Sequence, residues 1–276
     1  MDLKDEEEKK MKGHGQKGRV VGGFMEGRRL GKEEVMERVI KAVIEGREDN
    51  EAFEELRRIN RERKGEDKRR AERLGEELVE SIKKENSLKD VVRLILEGAD
   101  LDVKGDLGRT ALIRAIEYER KNIPEVLIKA GANVDLQDNV GNNALWWAVK
   151  SEDKKTVEML VNAGADVDLQ DDDGMTALMW VVYWQREEIV KFLLQNGANP
   201  FLKNKNGETA LYVAYEEQWR HNTTAINNII NVLEKHIDNM DEGVKKRMEK
   251  EAELRFGLKE CNKEKAKGLI LELLGS

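Results

Sequence analysis

With 276 residues, 39% of them hydrophobic and 38% charged, the chain can bury a sizeable core. Its 2 prolines and 5% aromatic residues fit solvated helices better than a β-sandwich or a doubly wound sheet. The 49 basic and 56 acidic residues leave a net charge of −7, which argues against nucleic-acid binding by the whole chain, where one sign should dominate. The single Cys261 excludes an internal disulfide, and His14, His221 and His236 lack metal-ligand spacing.

The first residues, MDLKDEEEKKMKG, are too charged for a signal peptide, and no apolar run approaches the roughly 18 residues of a membrane helix. A cytoplasmic protein is expected, although a secretion route without a cleaved signal would leave no trace here. Residues 1–31 are rich in glycine and charge and read as a disordered tail. Within them GHGQKG (13–18) matches G-x-G-x-x-G. No strand precedes it, no βαβ unit surrounds it, and Arg19 and Val20 stand where a phosphate loop needs Lys and Ser or Thr. Phosphate binding is not expected.

From Lys32 the stripe Val35, Val39, Ile40, Val43 and Ile44, stopped at Gly46 and resumed at Phe53, Leu56 and Ile59, predicts a helical hairpin. A further helix over about 66–85 carries Leu74, Leu78, Val79 and Ile82. Residues 32–75 are therefore expected to form a helical amino-terminal module that caps the amino-terminal end of the segment that follows, the alternative being a module that docks independently. Between Arg57 and Arg73 nine basic residues face four acidic ones. That stretch could track a phosphate backbone, but Glu62, Glu66, Asp67 and Glu72 suggest surface pairing instead.

The middle of the chain repeats. Gly-Ala occurs only at Gly98, Gly131, Gly164 and Gly197, and Ala-Leu only at Ala111, Ala144, Ala177 and Ala210, both in steps of 33 with a constant offset of 13. In each unit Gly108, Gly141, Gly174 or Gly207 permits a turn, and Thr110, Asn143, Thr176 or Thr209 can cap a short helix. A second helix comes next, as in KKTVEMLVNAGADV, where Val157, Leu160 and Val161 form one apolar face and Gly164 provides a left-handed stop. Such a unit cannot bury its own apolar face, so units must stack.

This period, the G-x-T-x-L helix start and the G-A-[DN]-[VPL] helix end resemble the ankyrin repeat over about residues 76–236, with four full units and EELVESIKKENSLKDVVRLILEGAD as an earlier one lacking its hairpin. The resemblance implies an all-α solenoid of stacked helix pairs with short hairpin loops, flanked by amino- and carboxy-terminal helical caps. Relative to the family's T-P-L-H signature, Ala replaces Pro throughout and Ile113, Trp146, Met179 and Tyr212 replace His. The Thr–His tie is therefore missing and the turns must be braced differently. After Trp219 the last unit departs from the period, predicting a longer connection and second helix. Residues 237–276 add charged helices, the last (KAKGLILELL) apolar on one side, expected to cover the open end of the final repeat.

No nucleophile stands out with a base and no carboxylate pair is distinguished, so neither an enzyme nor a cofactor is expected. All five Trp and all four Tyr lie in or just after the first helices of the repeats. In the ankyrin family that helix lines the concave face beside the hairpin tips, so the resemblance implies a scaffold binding another protein there, one with a basic or amphipathic surface. Tyr118, Tyr183 and Trp184 fall on the later turn, where the family faces its ligand, and Trp219 comes after them in the last unit. Trp146, Trp147, Trp180 and Tyr212 are expected as half-buried packing residues. Along the hairpins and helix starts the implied contacts are Asp106, Arg109, Asn139, Asn142, Lys150, Asp172, Asp173, Met175, Lys205 and Glu208, with Asp138 and Asp171 adding to an acidic rim. Nucleic-acid binding through Arg57–Arg73 is the alternative.

Overall fold

The computed structural model describes residues 30–84, 88–247 and 250. Helices α1 (Lys32–Glu45) and α2 (Asn50–Glu66) form the predicted hairpin. Gly46 closes α1 at φ 64°, and Asp49 caps α2 by accepting from the Ala52 amide at 3.1 Å. Arg38 of α1 clamps the same carboxylate at 2.6 and 2.8 Å, tying the two helices together.

Next come five helix pairs: α3 (Lys68–Lys83) with α4 (Leu88–Glu97), α5 (Ala111–Glu117) with α6 (Ile123–Ala130), α7 (Ala144–Lys150) with α8 (Lys154–Asn162), α9 (Ala177–Tyr183) with α10 (Glu187–Gln195), and α11 (Ala210–His221) with α12 (Thr224–Asp238). The first helices α3, α5, α7, α9 and α11 pack on one another in order, each also against its own second helix. The expected boundary between residues 75 and 76 falls inside α3, so the first pair begins at Lys68. Among the described residues, strand-type pairing is limited to the isolated bridge between Gln170 and Thr176.

The local signals work as their chemistry dictates. Thr110, Asn143, Thr176 and Thr209 each accept from the amide three residues on, at 2.9 to 3.3 Å, and so satisfy a donor the helix leaves free. Val157 and Leu160 of α8 are fully buried. Between repeats, Asp102, Asp135 and Asp168 accept the amides of Asn133, Asp166 and Asn199 at 2.9, 2.9 and 2.8 Å. Gln137 and Gln170 donate across to the carbonyls of Gln170 and Lys203 at 2.8 and 2.9 Å. This polar ladder fixes the register of one hairpin on the next.

Two placements differ from expectation. Helices α1 and α2 do not cover the end of the stack but lie on its second-helix side, with α1 against α4 and α2 against both α4 and α6. The end itself needs no apolar cover, because α3 exposes Lys68, Arg69, Arg70, Glu72, Arg73, Glu76, Glu77 and Glu80 to solvent. In the last repeat the connection is only Asn222 and Thr223. The extra residues lengthen both helices, α11 to 12 residues and α12 to 15. The carboxy-terminal cap expected over 237–276, including KAKGLILELL, lies mostly outside the described residues, as do nearly all of the 1–31 tail and the 13–18 glycine motif.

Candidate partner-binding surface

The first-helix face and the adjoining hairpins hold most of the large apolar side chains left in solvent: Leu107, Tyr118, Val140, Tyr183, Tyr212, Tyr215 and Trp219. The fold positions them in two ways. Leu107 and Val140 sit at hairpin tips and Tyr118 and Tyr183 at the ends of their first helices. Tyr212 and Tyr215 instead fill the slots that Met179 and Val182 occupy, buried, one repeat earlier, and are open because no further described repeat packs on α11. Trp219 is 88% exposed, Tyr212 51% and Tyr183 43%. Tyr212, expected as a packing residue, is thus open to solvent, since no further repeat among the described residues packs on it.

Behind this surface Trp146 and Trp180 form a cluster. Their ring centroids lie 5.9 Å apart edge to face, Trp184 stacks on Trp180 at 5.0 Å and meets Trp146 at 5.8 Å, and Trp147 touches Trp146 at 5.0 Å. Trp184 is accordingly half-buried and belongs to the packing, whereas Tyr183 lies edge-on to Trp180 at 5.9 Å with its outer side exposed. The Lys150 ammonium covers Trp146 and Trp147 at 4.9 and 4.7 Å. Trp147 is only 9% exposed, more deeply buried than expected.

The acidic rim is thinner than the sequence suggests. Asp138 and Asp171 are buried. Asp138 accepts the amides of Val140 and Asn142 at 3.1 and 2.9 Å and the Trp147 indole N–H at 3.3 Å. Asp171 accepts those of Asp173 and Met175, both at 2.9 Å, and the Trp180 indole at 2.7 Å. Burial pushes the Asp171 carboxyl above the usual aspartate range, against the lowering effect of these donors. The two indoles brace the turns that lack the Thr–His tie. In the unit before, the buried Arg114 does so, donating to the Asp106 carbonyl at 2.7 Å and to Glu117 at 2.9 Å.

The remaining expected contacts divide in the same way. Asp172, Asp173, Asn139 and Lys205 are exposed at the tips, and Asp106 is exposed but paired with Lys83 at 2.6 Å. Asn142 is buried, its amide and carbonyl both used within the hairpin, because the turn closes on it. Met175 packs against the core with its sulfur accepting from Asn204 at 3.3 Å. Glu208 accepts from the same Asn204 side chain at 2.6 Å. Arg109 lies 4.4 Å over the Trp147 ring, bonded to Glu117 and 3.5 Å from Asp138. Tyr118 is partly exposed, with the Arg114 and Arg120 guanidinium carbons 6.0 and 5.5 Å from its ring. The tip residues Leu107 and Val140 were missed. An apolar residue just before the turn glycine, in DLG and NVG, was the available signal, and Leu107 adopts φ 61°, which strains a leucine.

A model of ankyrin repeats in three copies matches residues 78–171 and 153–241. The chain belongs to the ankyrin-repeat family. Ankyrin repeats are generally protein–protein interaction modules, and the family is typically non-enzymatic. No curated protein matches the chain. No helix among the described residues is long and apolar enough to cross a membrane. The basic stretch of this ankyrin-repeat chain is engaged internally in part: Arg57 donates to the Lys129 carbonyl at 2.9 Å, Arg58 bridges Glu55 and Glu62 at 2.5 Å each, and Lys64 pairs with Asp100 at 2.6 Å. Arg61, Arg69, Arg70 and Arg73 stay exposed.

Proposed function

We propose that this protein is an interaction scaffold that holds another protein on its first-helix face, from the Leu107 and Val140 tips across to Tyr118 and Tyr183. The observation that carries the reading is the gathering of exposed aromatic side chains on first helices, where Tyr and Trp provide large contact area at little entropic cost. Exposed Asp172 and Asp173 beside them favour a partner with a basic or amphipathic surface, by charge complementarity at the rim. The internal pairing of Arg57, Arg58 and Lys64 weakens the nucleic-acid alternative.

Crosslinking in native lysate with mass-spectrometric identification tests this. The expected crosslinks join the partner to Lys150 or Lys205 on the first-helix and hairpin side. Crosslinks confined to Lys154, Lys155 and Lys191 on the second helices would overturn it. Steeply salt-dependent affinity for generic RNA or DNA would favour the nucleic-acid reading instead.

A further inference from the structure

The second-helix side of the stack carries a shelf formed by the carboxy-terminal ends of the second helices, and α2 occupies its first half. Asn60 of α2 donates to the Ile95 and Ala99 carbonyls at the end of α4, both at 2.9 Å. Arg57 donates to the Lys129 carbonyl at the end of α6. Gly98 and Gly131, which close these helices, lie against Arg63 and Arg57, whereas Gly164 and Gly197, which close α8 and α10, have open space where a side chain would be. The carbonyl equivalent to that of Lys129 one repeat on belongs to Asn162, and it receives no side-chain donor among the described residues.

Beyond the amino-terminal end of α2 lies a groove of about 770 Å³. It is bordered by Gly46 and Arg47 and runs over Ile128, Val134, Met159 and Ala163 of the next two repeats. Ile128, Val134 and Met159 are half-buried, leaving an apolar floor that no described residue covers, rimmed by Arg47, Glu48, Glu125 and Lys155. The chain returns to this same side at its other end. After α12, Met240 and Val244 border a cleft with Leu194 and Gly197 at the end of α10, on the shelf and away from the open end of the last repeat. Met240 and Val244 therefore lie at the shelf's far end. Consecutive helices pack roughly 8–10 Å apart, so the groove is about two such steps away. A segment as long as residues 251–276 reaches about 39 Å even at the helical rise of about 1.5 Å per residue.

We propose that the groove between α2, α6 and α8 is filled by the chain's own residues 251–276, which continue the layer that α2 begins. Their sequence has the chemistry that α2 uses: apolar Leu254, Phe256 and Leu258, then Leu269, Ile270 and Leu273, with Arg255 and Asn262 as donors for carbonyls such as that of Asn162. This site is separate from the first-helix face, so its failure leaves the proposed function untouched.

Cys261 is the only cysteine of the chain and provides the probe. A nitroxide attached there in the full-length protein should broaden the amide signals of Asn133, Val134, Met159, Asn162 and Gly164. The broadening should persist on dilution with unlabelled chain carrying no nitroxide, and Met159→Glu should abolish it while the helical circular dichroism is retained. Broadening centred on Leu211, Tyr215 and Trp219 would place the segment over the open end of the stack and overturn the proposal. So would the absence of localised broadening, and so would broadening that vanishes on dilution, which would assign the groove to a second copy.

Discussion

The indole N–H of Trp180 donates to the Asp171 carboxylate at 2.7 Å, and Trp147 repeats the bond to Asp138 at 3.3 Å one repeat earlier. Each bond fastens a hairpin to the helix it introduces. Replacing Trp180 with Phe removes the donor and leaves a buried carboxylate oxygen without it, a loss of about 1 to 3 kcal/mol. Trp147→Phe should cost less, since its bond is longer and Arg109 stays 3.5 Å from Asp138. Urea midpoints of the two variants check the order, and the reverse order would show that packing outweighs the brace.

Asp171 gives a pH dependence of defined sign. Burial raises its carboxyl pKa in the folded chain above the ordinary value of about 3.9. The folded state therefore binds its proton before the unfolded state does as pH falls. Its contribution to stability is fully present below the ordinary value and is lost as pH rises through the raised one. Asp171→Asn keeps the amide-accepting oxygen, as Asn204 does in the next unit, but removes the titration. Relative to this variant, the wild-type protein should gain thermal stability as pH is lowered through the carboxylate range; parallel curves would reject the assignment.

The exposed and packed aromatics should separate in one experiment. Tyr118→Ala with Tyr183→Ala should weaken partner binding by roughly 2 to 4 kcal/mol, about 30-fold to 1,000-fold, while the melting temperature hardly moves. Trp184→Ala, which breaks the stack on Trp180, should lower the melting temperature instead. Calorimetric binding beside thermal melts distinguishes the two effects.

Gly141 and Gly164 both have positive φ, 81° and 88°, but only Gly141 is also crowded. A Cβ there would sit 2.4 Å from the Asp172 amide nitrogen of the next hairpin, whereas at Gly164 it meets nothing within 4 Å. Gly164→Ala should cost about 1 to 2 kcal/mol, the left-handed penalty alone. Gly141→Ala should cost clearly more, because the ladder between hairpins must shift. Equal denaturation midpoints would show that the hairpins yield more easily than this spacing implies.

Asn60 carries the docking of α2. Asn60→Ala strips two carbonyls of their donor and should cost about 2 to 3 kcal/mol. Hydrogen exchange should accelerate first in α2, with the helices from α7 to α12 unchanged. Uniform acceleration along the stack would mean that α2 is integral to the core of every repeat.

The period of 33, the Thr and Asn caps and the glycine stops were legible because their physics is local: a hydroxyl reaching an amide three residues on, or a backbone turn that needs positive φ, is written in neighbouring residues. The ankyrin-like order of helix pairs emerged from them. What the sequence could not decide was which polar and aromatic side chains meet solvent. Asp138 and Asp171 look identical in type to Asp172 and Asp173, yet the indoles arriving from the adjoining helix draw the first two inward. Trp184 and Tyr183 are neighbours, but only Trp184 finds a ring to stack on. The apolar stripe of α1 and α2 showed that they must dock, while its periodicity carried no information about which surface receives them. Free carbonyls at the ends of α4 and α6, brought side by side only by stacking, provide the site that Asn60 and Arg57 fill.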